Sequence, residues 1–220
     1  AARSAQADGI EVGAAAWGLL TPVHWRVGSD AIHLADPQSL ALDAAASRAL
    51  FDAVRDLFTS EGFTLAWSAP LRWYAAHADL AGLATASLDR VIGRNVDRWL
   101  PAQREARLLR RLQNEVQMLL YTHPINAERE AAGALPVNSF WLSGCGVAQP
   151  EAAHDAQIDD RLRASALAED WPAWSAAWAA LDATLAARKL TRLTLCGERS
   201  AVTFAPAQPS LRRHVARIFT

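Results

Sequence analysis

The strongest folding signal in this chain is the amphipathic pattern of residues 102–121. Apolar residues recur there at helical spacing, which predicts a long helix with one buried face. The apolar stripe consists of Leu108, Leu112, Val116, Leu119 and Leu120. The same segment also carries Arg104, Arg107, Arg110 and Arg111. A cluster of arginines on a helix indicates a solvated face more often than an anion site.

A polar corner follows the long helix. His123 stands just before Pro124, which suits the first turn of a second helix, and Gly133 is placed to end that helix. The segment NSFWLSG, residues 138–144, is nearly continuous in apolar residues and predicts a strand that is buried on both faces. We therefore expect a long helix, a short helix and a buried strand in succession.

The remaining segments predict an α+β fold in which helices pack on a mixed sheet. We expect a hairpin at 24–34, a helix at 43–60 and a second hairpin at 63–76 before the long helix, with a C-terminal hairpin and helix near the end. Because residues 149–160 are polar, they mark a boundary. The chain thus divides into a region at 1–150 and a helix-hairpin-helix extension at 151–220, which we expect to pack on the same domain.

That extension contains two apolar stripes. The helix that begins after Asp170, a capping residue, carries Trp171, Trp174, Trp178, Leu181 and Leu185 on one side. A tryptophan stripe at this spacing is typical of core packing rather than of a ligand box. The closing segment LRRHVARIF predicts an amphipathic helix whose inward residues are Leu211, Val215, Ile218 and Phe219.

Composition excludes several classes of function. The net charge is −1 and no half of the chain is strongly basic, so we expect no nucleic-acid partner. The two cysteines lie outside any Cys-x-x-Cys pair, which fits a reducing cytoplasm. The apolar stretch 12–23 is too short to span a bilayer and lacks a basic leader, so we expect neither a membrane helix nor a secretory signal. Because the chain begins at Ala1 rather than at methionine, we expect that an N-terminal segment precedes it.

Only the polar corner gathers residues that suit a ligand. His123, Asn126, Arg129 and Asn138 combine an imidazole, two amides and a guanidinium near a helix start, which suits a phosphate or carboxylate. Buried corners also need such side chains to satisfy free backbone groups, and on the residues alone this structural role is the favoured interpretation. The sequence contains no glycine-rich phosphate loop, nucleophile elbow or His-Glu-x-x-His motif. We therefore predict no catalytic residue, no metal ligand and no cofactor.

The segment HPINAEREAAGALPVNSFWLSGCG, residues 123–146, resembles the archaeal-type cofactor-independent phosphoglycerate mutases. The matching positions are His123, Pro124, Ile125, Asn126, Arg129, Gly133, Pro136, Val137, Asn138, Gly144 and Gly146. GRNVDRWLP at 93–101 and Arg72 in LRWY extend this likeness to residues 40–146. With WGLLTPVHW and TLCGER included, nearly the whole chain also resembles a group of proteobacterial cytoplasmic proteins, the phosphoglycerate-mutase-like or Rpf-type regulatory family.

The resemblance implies a substrate-recognition region in which Arg72, His123, Asn126, Arg129 and Asn138 line any retained pocket. The mutases use a metal-activated serine and two divalent ions held by Asp and His, and no stretch here resembles those elements. We therefore predict a cytoplasmic, non-catalytic binding or regulatory module that takes a small phosphorylated or carboxylated metabolite or a protein partner. Two alternatives stay open: a metal-dependent phosphomutase or phosphatase acting on a small phosphorylated acid, and a partner-docking protein without a small ligand.

Overall fold

The computed structural model describes residues 1–103, 106–150, 157–197 and 200–206. The chain falls into two compact units, residues 1–155 and 156–220. Both helices and antiparallel strands are present, so the predicted α+β class is confirmed. The domain boundary after residue 150, and the packing of the extension on the same domain, stay predictions.

The elements of the first unit follow the predicted order, with two additions near the N-terminus. Its helices are α1 (Ala2–Ala7), α2 (Ala44–Thr59), α3 (Ala106–Tyr121) and α4 (Pro124–Ala131). Its strands are β1 (Trp17–Val23), β2 (Trp25–Val27), β3 (Ile32–Leu34), β4 (Thr64–Ala69), β5 (Arg72–Ala76) and β6 (Ser139–Gly146). The additions are α1 and β1, to which the sequence patterns assigned no element. Across the described part of the chain, no helix combines the length and hydrophobicity needed to cross a membrane.

A four-stranded antiparallel sheet organises this unit in the order β4-β5-β1-β6. Strand β1 lies inside the sheet, where Leu20 pairs with Trp73 of β5 on one side and with Leu142 of β6 on the other. The pairing of β1 with β6 shifts register around Gly18. A Cβ at Gly18 would lie 2.5 Å from the Leu142 side chain, so glycine at this position lets Leu142 pack directly on β1.

The two faces of the sheet are covered by different elements. Helices α2 and α3 pack over one face, where Trp73 joins the main core together with Phe58 and Leu112. Because side chains alternate along a strand, the neighbouring Tyr74 points to the opposite face and packs with Ala2 and other residues around α1. Strand β5 therefore contributes residues to both cores.

The second unit contains two helices and a hairpin within its described residues. These are α5 (Arg163–Leu167), α6 (Trp171–Ala186), β7 (Leu193–Cys196) and β8 (Ala201–Phe204). The Asp170 carboxylate caps α6 by accepting a hydrogen bond from the Ala173 N–H at 3.0 Å, as predicted. Trp171 is 59% exposed, so the core role predicted for the tryptophan stripe is wrong for this residue. The closing helix predicted at 211–219 lies outside the described residues.

Candidate functional site

Side chains hold the extended segment 135–138, which connects α4 to β6, along its whole length. The Arg129 Nε donates to the Leu135 carbonyl at 3.0 Å, and the His24 Nδ1 donates to the Pro136 carbonyl at 2.9 Å. Asn126 and Asn138 complete the set. We call these four side chains, His24, Asn126, Arg129 and Asn138, the corner clamp.

Asn126 is the most buried member of the corner clamp, with 4% of its surface exposed. Its Nδ2 donates to the carbonyls of Leu120 at 2.8 Å and Val137 at 2.7 Å. Its Oδ1 accepts a hydrogen bond from the Val137 N–H at 2.9 Å. The side chain therefore joins the end of α3, the start of α4 and the segment that enters β6.

Asn138 repeats this arrangement on the other side of the same segment. Its Oδ1 accepts from the Trp25 N–H at 2.7 Å, and its Nδ2 donates to the Trp25 carbonyl at 2.9 Å. An amide side chain offers one acceptor and two donors, so it can pair with the N–H and the carbonyl of one residue as a strand would. Asn138 thereby fixes the start of β2 against the start of β6.

His123 and Arg129 also bind the main chain. The His123 Nδ1 accepts from the Ile125 N–H at 3.3 Å and so caps α4. The Arg129 guanidinium donates through Nη2 to the Leu40 carbonyl in addition to its bond with Leu135. Four of the five residues predicted to line a pocket therefore meet at one corner, where each makes hydrogen bonds to backbone groups.

Arg72, the fifth predicted residue, lies away from this corner, on the sheet face that α1 covers. Its guanidinium pairs with the Asp8 carboxylate at 2.8 Å. Asp8 also accepts from the Tyr74 hydroxyl at 2.7 Å and the Ser68 hydroxyl at 2.8 Å. These hydroxyl donors, together with Arg72, lower the pKa of Asp8, and burial together with Asp8 raises the pKa of Tyr74. Whether any of the five residues contacts a ligand stays a prediction.

Two buried polar atoms beside the corner clamp lack a hydrogen-bond partner within the described part of the chain. They are the Trp25 Nε1 and the Ser139 Oγ. The residues that carry them, Trp25 and Ser139, are only 7% and 1% exposed. Atoms this enclosed are accessible to a water molecule at most, so they do not offer a site for a metabolite.

A cavity with room for a metabolite lies away from the corner clamp, at the carboxyl end of β6. Its volume is about 340 Å³, within the range of small-molecule sites. The cavity is lined by Ala1, Ala2, Arg3, Ala81, Gly144, Cys145, Gly146, Val147 and Gln149. Arg3 brings a positive charge to this lining, and the Gly144 carbonyl accepts a hydrogen bond from the main-chain nitrogen of Ala1 at 2.9 Å.

Gly144 and Cys145 give the cavity wall its local character. Gly144 has a φ of +62°, and a Cβ there would lie 3.1 Å from the main-chain nitrogen of Ala1, so both the backbone conformation and the close approach favour glycine. Burial raises the pKa of the Cys145 thiol, which therefore stays protonated at neutral pH. The thiol is thus mainly a weak hydrogen-bonding group in the wall, and it reacts with alkylating reagents more slowly than a cysteine of ordinary pKa.

Metal ligands do not converge in the described residues: no group of three or more His, Cys, Asp or Glu side chains is placed to hold an ion there.

Three residues that shape these sites were not predicted from the sequence. His24 was predicted only to be the first residue of a strand. No helix or strand was predicted for the segment that contains Asp8. Cys145 was considered only as one of two cysteines outside any Cys-x-x-Cys pair. None of the three carries a local signal, because the partners of His24 and Asp8 are 60 or more residues away along the chain.

Comparison with known proteins identifies a similar fold. Among solved structures, the chain is similar to a cofactor-independent phosphoglycerate mutase from Thermoplasma acidophilum DSM 1728, with a TM-score of 0.50 and 18% sequence identity. The match covers 66% of this chain but only 40% of that chain. No family model and no curated protein matches the sequence. Similarity at this level concerns the fold alone, and at that level the predicted likeness to the phosphoglycerate mutases is confirmed.

Proposed function

We propose that the first unit is a non-catalytic binding module that takes a small phosphorylated or carboxylated acid and acts as a regulatory protein in the cytoplasm. The mutase-like fold supports the chemical class of the ligand. We further propose that the chain belongs to the Rpf-type regulatory group that its sequence resembles. The cavity at the carboxyl end of β6 is the binding site in this proposal.

The geometry of this cavity is the observation that carries the proposal. Its volume of about 340 Å³ suits a small metabolite. Arg3 places a guanidinium in the lining, and a guanidinium recognises carboxylate and phosphate. The corner clamp supports the fold in this account, because its side chains bind backbone groups along the segment that enters β6.

Thermal unfolding of the chain in the presence of candidate ligands tests the proposal. The probes are 3-phosphoglycerate, D-glycerate and inorganic phosphate, each measured with and without Mg²⁺ and Mn²⁺. Because a ligand that binds only the native state stabilises it by RT ln(1 + [L]/Kd), a concentration of 100 times Kd gives about 2.7 kcal/mol. We expect 3-phosphoglycerate to raise the unfolding temperature without added metal, and the two simpler compounds to show which of its groups is recognised.

A matched pair of variants locates the site. Ala81 is exposed and lines the cavity, so Ala81→Phe places a ring across it, whereas Ala45→Phe adds the same ring to an exposed position of α2. We expect Ala81→Phe to abolish the ligand-induced shift and Ala45→Phe to retain it. A shift that requires a divalent metal, followed by turnover of a phosphoglycerate, would replace the non-catalytic module with the metal-dependent phosphomutase or phosphatase. If no probe raises the unfolding temperature, the proposed binding of a small ligand is wrong.

A further inference from the structure

Helix α1 depends on contacts with the sheet for its position. Its six residues, Ala2–Ala7, are too few to form a stable helix alone in water. The residues that it buries are Ala2 and Ala5, which are 3% and 0% exposed. Because an alanine side chain contributes little apolar surface, this packing holds the helix weakly. A polar contact at the end of α1 therefore matters for keeping it against the sheet.

The Asp8 carboxylate provides such a contact. Its Oδ2 accepts from the Tyr74 hydroxyl at 2.7 Å and from the Ser68 hydroxyl at 2.8 Å. The Arg72 guanidinium lies 2.8 Å from Oδ2 through Nε and donates to Oδ1 through Nη2 at 3.1 Å. The main-chain N–H of Asp8 donates to the Ser4 carbonyl at 3.0 Å, which fixes this residue to α1. One side chain therefore ties the end of α1 to β4 and β5. We call Asp8, Ser68, Arg72 and Tyr74 the Asp8 anchor.

The opposite end of α1 lines the cavity at the carboxyl end of β6. Residues 1–3 belong to the lining, and the main-chain nitrogen of Ala1 donates to the Gly144 carbonyl at 2.9 Å. Asp8 follows Arg3 by five residues, which corresponds to roughly 8 Å along a helix. Because backbone hydrogen bonds within α1 link these two ends, a displacement of Asp8 also displaces Arg3.

We infer that Asp8 is a positioning residue for this cavity, because it holds α1 on the sheet and thereby keeps Arg3 in the cavity wall beside Gly144. Asp8 is not one of the lining residues, so it acts through the position of Arg3 and not by contact with a ligand. The effect on ligand affinity rests on the proposed function, since this cavity is the proposed binding site.

Ser47 offers a matched control on the opposite face of the same two strands. Its hydroxyl accepts from the indole N–H groups of Trp67 in β4 and Trp73 in β5, whereas Asp8 accepts from the residue that follows each of them. Asp8→Ala and Ser47→Ala therefore each remove a hydrogen-bonding group that β4 and β5 share. Of the two variants, Asp8→Ala is the one that releases α1.

Alkylation of Cys145 with iodoacetamide, in the full chain and without ligand, tests the positioning of α1. Cys145 lines the cavity together with residues 1–3, so loosening of α1 exposes its thiol, and Cys196 of β7 is the internal reference for the reagent. We expect Asp8→Ala to label Cys145 about tenfold faster than the parent chain does, and Ser47→Ala to stay within about twofold. A parental labelling rate in Asp8→Ala would overturn the inference, and so would equal acceleration in the two variants.

The affinity for 3-phosphoglycerate, measured by isothermal titration calorimetry, tests the consequence for the ligand. Because Arg3 supplies the charged donor, we expect Asp8→Ala to raise Kd about tenfold or more and Ser47→Ala to leave it within about twofold. An unchanged Kd in Asp8→Ala would overturn the inference. If the parent chain does not bind 3-phosphoglycerate, the proposed function is wrong, and the labelling of Cys145 still decides whether Asp8 positions the cavity wall.

Tyr74→Phe keeps the test informative if Asp8→Ala does not fold. This change removes one hydroxyl from the Asp8 anchor and keeps the aromatic ring, which is fully buried. We expect Cys145 of Tyr74→Phe to be labelled about threefold faster than in the parent chain, because one of the bonds to Asp8 is lost. Labelling at the parental rate would contradict a role for the Asp8 anchor in holding α1.

Discussion

Asn126 and Val137 are joined by two hydrogen bonds, one from the side-chain amide to the Val137 carbonyl and one from the Val137 N–H to the side-chain oxygen. The asparagine side chain therefore pairs with the backbone of the segment that enters β6, as a residue of a neighbouring strand would. Val137 is fully buried, so its backbone groups have no access to water and need these partners. The pairing explains why an amide stands at the first turn of α4.

Removing this amide should destabilise the protein strongly. Asn126→Ala leaves the Val137 N–H and carbonyl without their side-chain partner, whereas the Leu120 carbonyl still accepts from the His123 N–H at 3.2 Å. Each buried unsatisfied group costs about 1–3 kcal/mol. We expect a loss of about 2 kcal/mol or more in the free energy of unfolding, measured by urea denaturation. Asn114→Ala, at an exposed position of α3, is the control and should change stability by less than about 0.5 kcal/mol. A loss below about 1 kcal/mol for Asn126→Ala would show that the pairing contributes little.

Two buried serines should respond to the same substitution in opposite ways. Ser47 Oγ accepts from the indole N–H groups of Trp67 and Trp73, each at 3.0 Å, and donates to the Pro70 carbonyl at 2.8 Å. Ser47→Ala leaves these groups without their partner and should lower the free energy of unfolding by about 2–3 kcal/mol. Ser139 Oγ has no partner among the described residues, so Ser139→Ala should be neutral or slightly stabilising. If denaturation shows that Ser139→Ala costs more than about 1 kcal/mol, an ordered water or another partner satisfies that hydroxyl.

Stability in acid should depend on Asp8. Hydrogen bonds from Tyr74 and Ser68, with Arg72 nearby, lower its pKa in the folded protein below the unfolded value of about 3.9. A lowered folded-state pKa gives stability that is present above about pH 4 and is lost as the pH falls through the folded value. Asp8→Asn should therefore lower stability at pH 7 and flatten the decline of stability below about pH 4, as followed by urea denaturation at each pH. If the free energy of unfolding falls as steeply below about pH 4 in Asp8→Asn as in the parent chain, other carboxylates cause the acid sensitivity.

Local patterns were sufficient to predict most elements of the fold. Helix α3 has an apolar stripe, α2 begins at the capping residue Asp43, and α4 has Pro124 in its first turn, so each is specified by residues within its own length. Strand β1 was missed because Trp17–Val23 is a short apolar run whose role depends on pairing with β5 and β6. Strand order is a property of such distant pairings, and no local pattern contains it.

For the candidate site too, the sequence predicts which residues lie near one another but not which groups they contact. The sequence placed His123, Asn126, Arg129 and Asn138 at one corner, and the structure brings them together there. The direction of their polar groups depends on partners such as Leu40 and Trp25, which are 89 and 113 residues away along the chain. Arg72 was grouped with this corner by resemblance alone, and its contact with Asp8 joins residues 64 positions apart. The cavity beside Gly144 depends on the approach of the first residues to β6, which sequence spacing does not reveal.

Cysteine alkylation with and without ligand tests the central claim most directly. Cys145 lines the proposed binding cavity, and the exposed Cys196 of β7 reports any general effect of the ligand on the reagent. Iodoacetamide labelling of each cysteine is followed by mass spectrometry in the presence of 3-phosphoglycerate. Because only the free cavity reacts, a ligand at about 100 times Kd should slow labelling of Cys145 about a hundredfold and leave Cys196 unchanged. Equal labelling rates for Cys145 with and without 3-phosphoglycerate, in a sample that shows a ligand-induced thermal shift, would place the ligand outside this cavity and contradict the account.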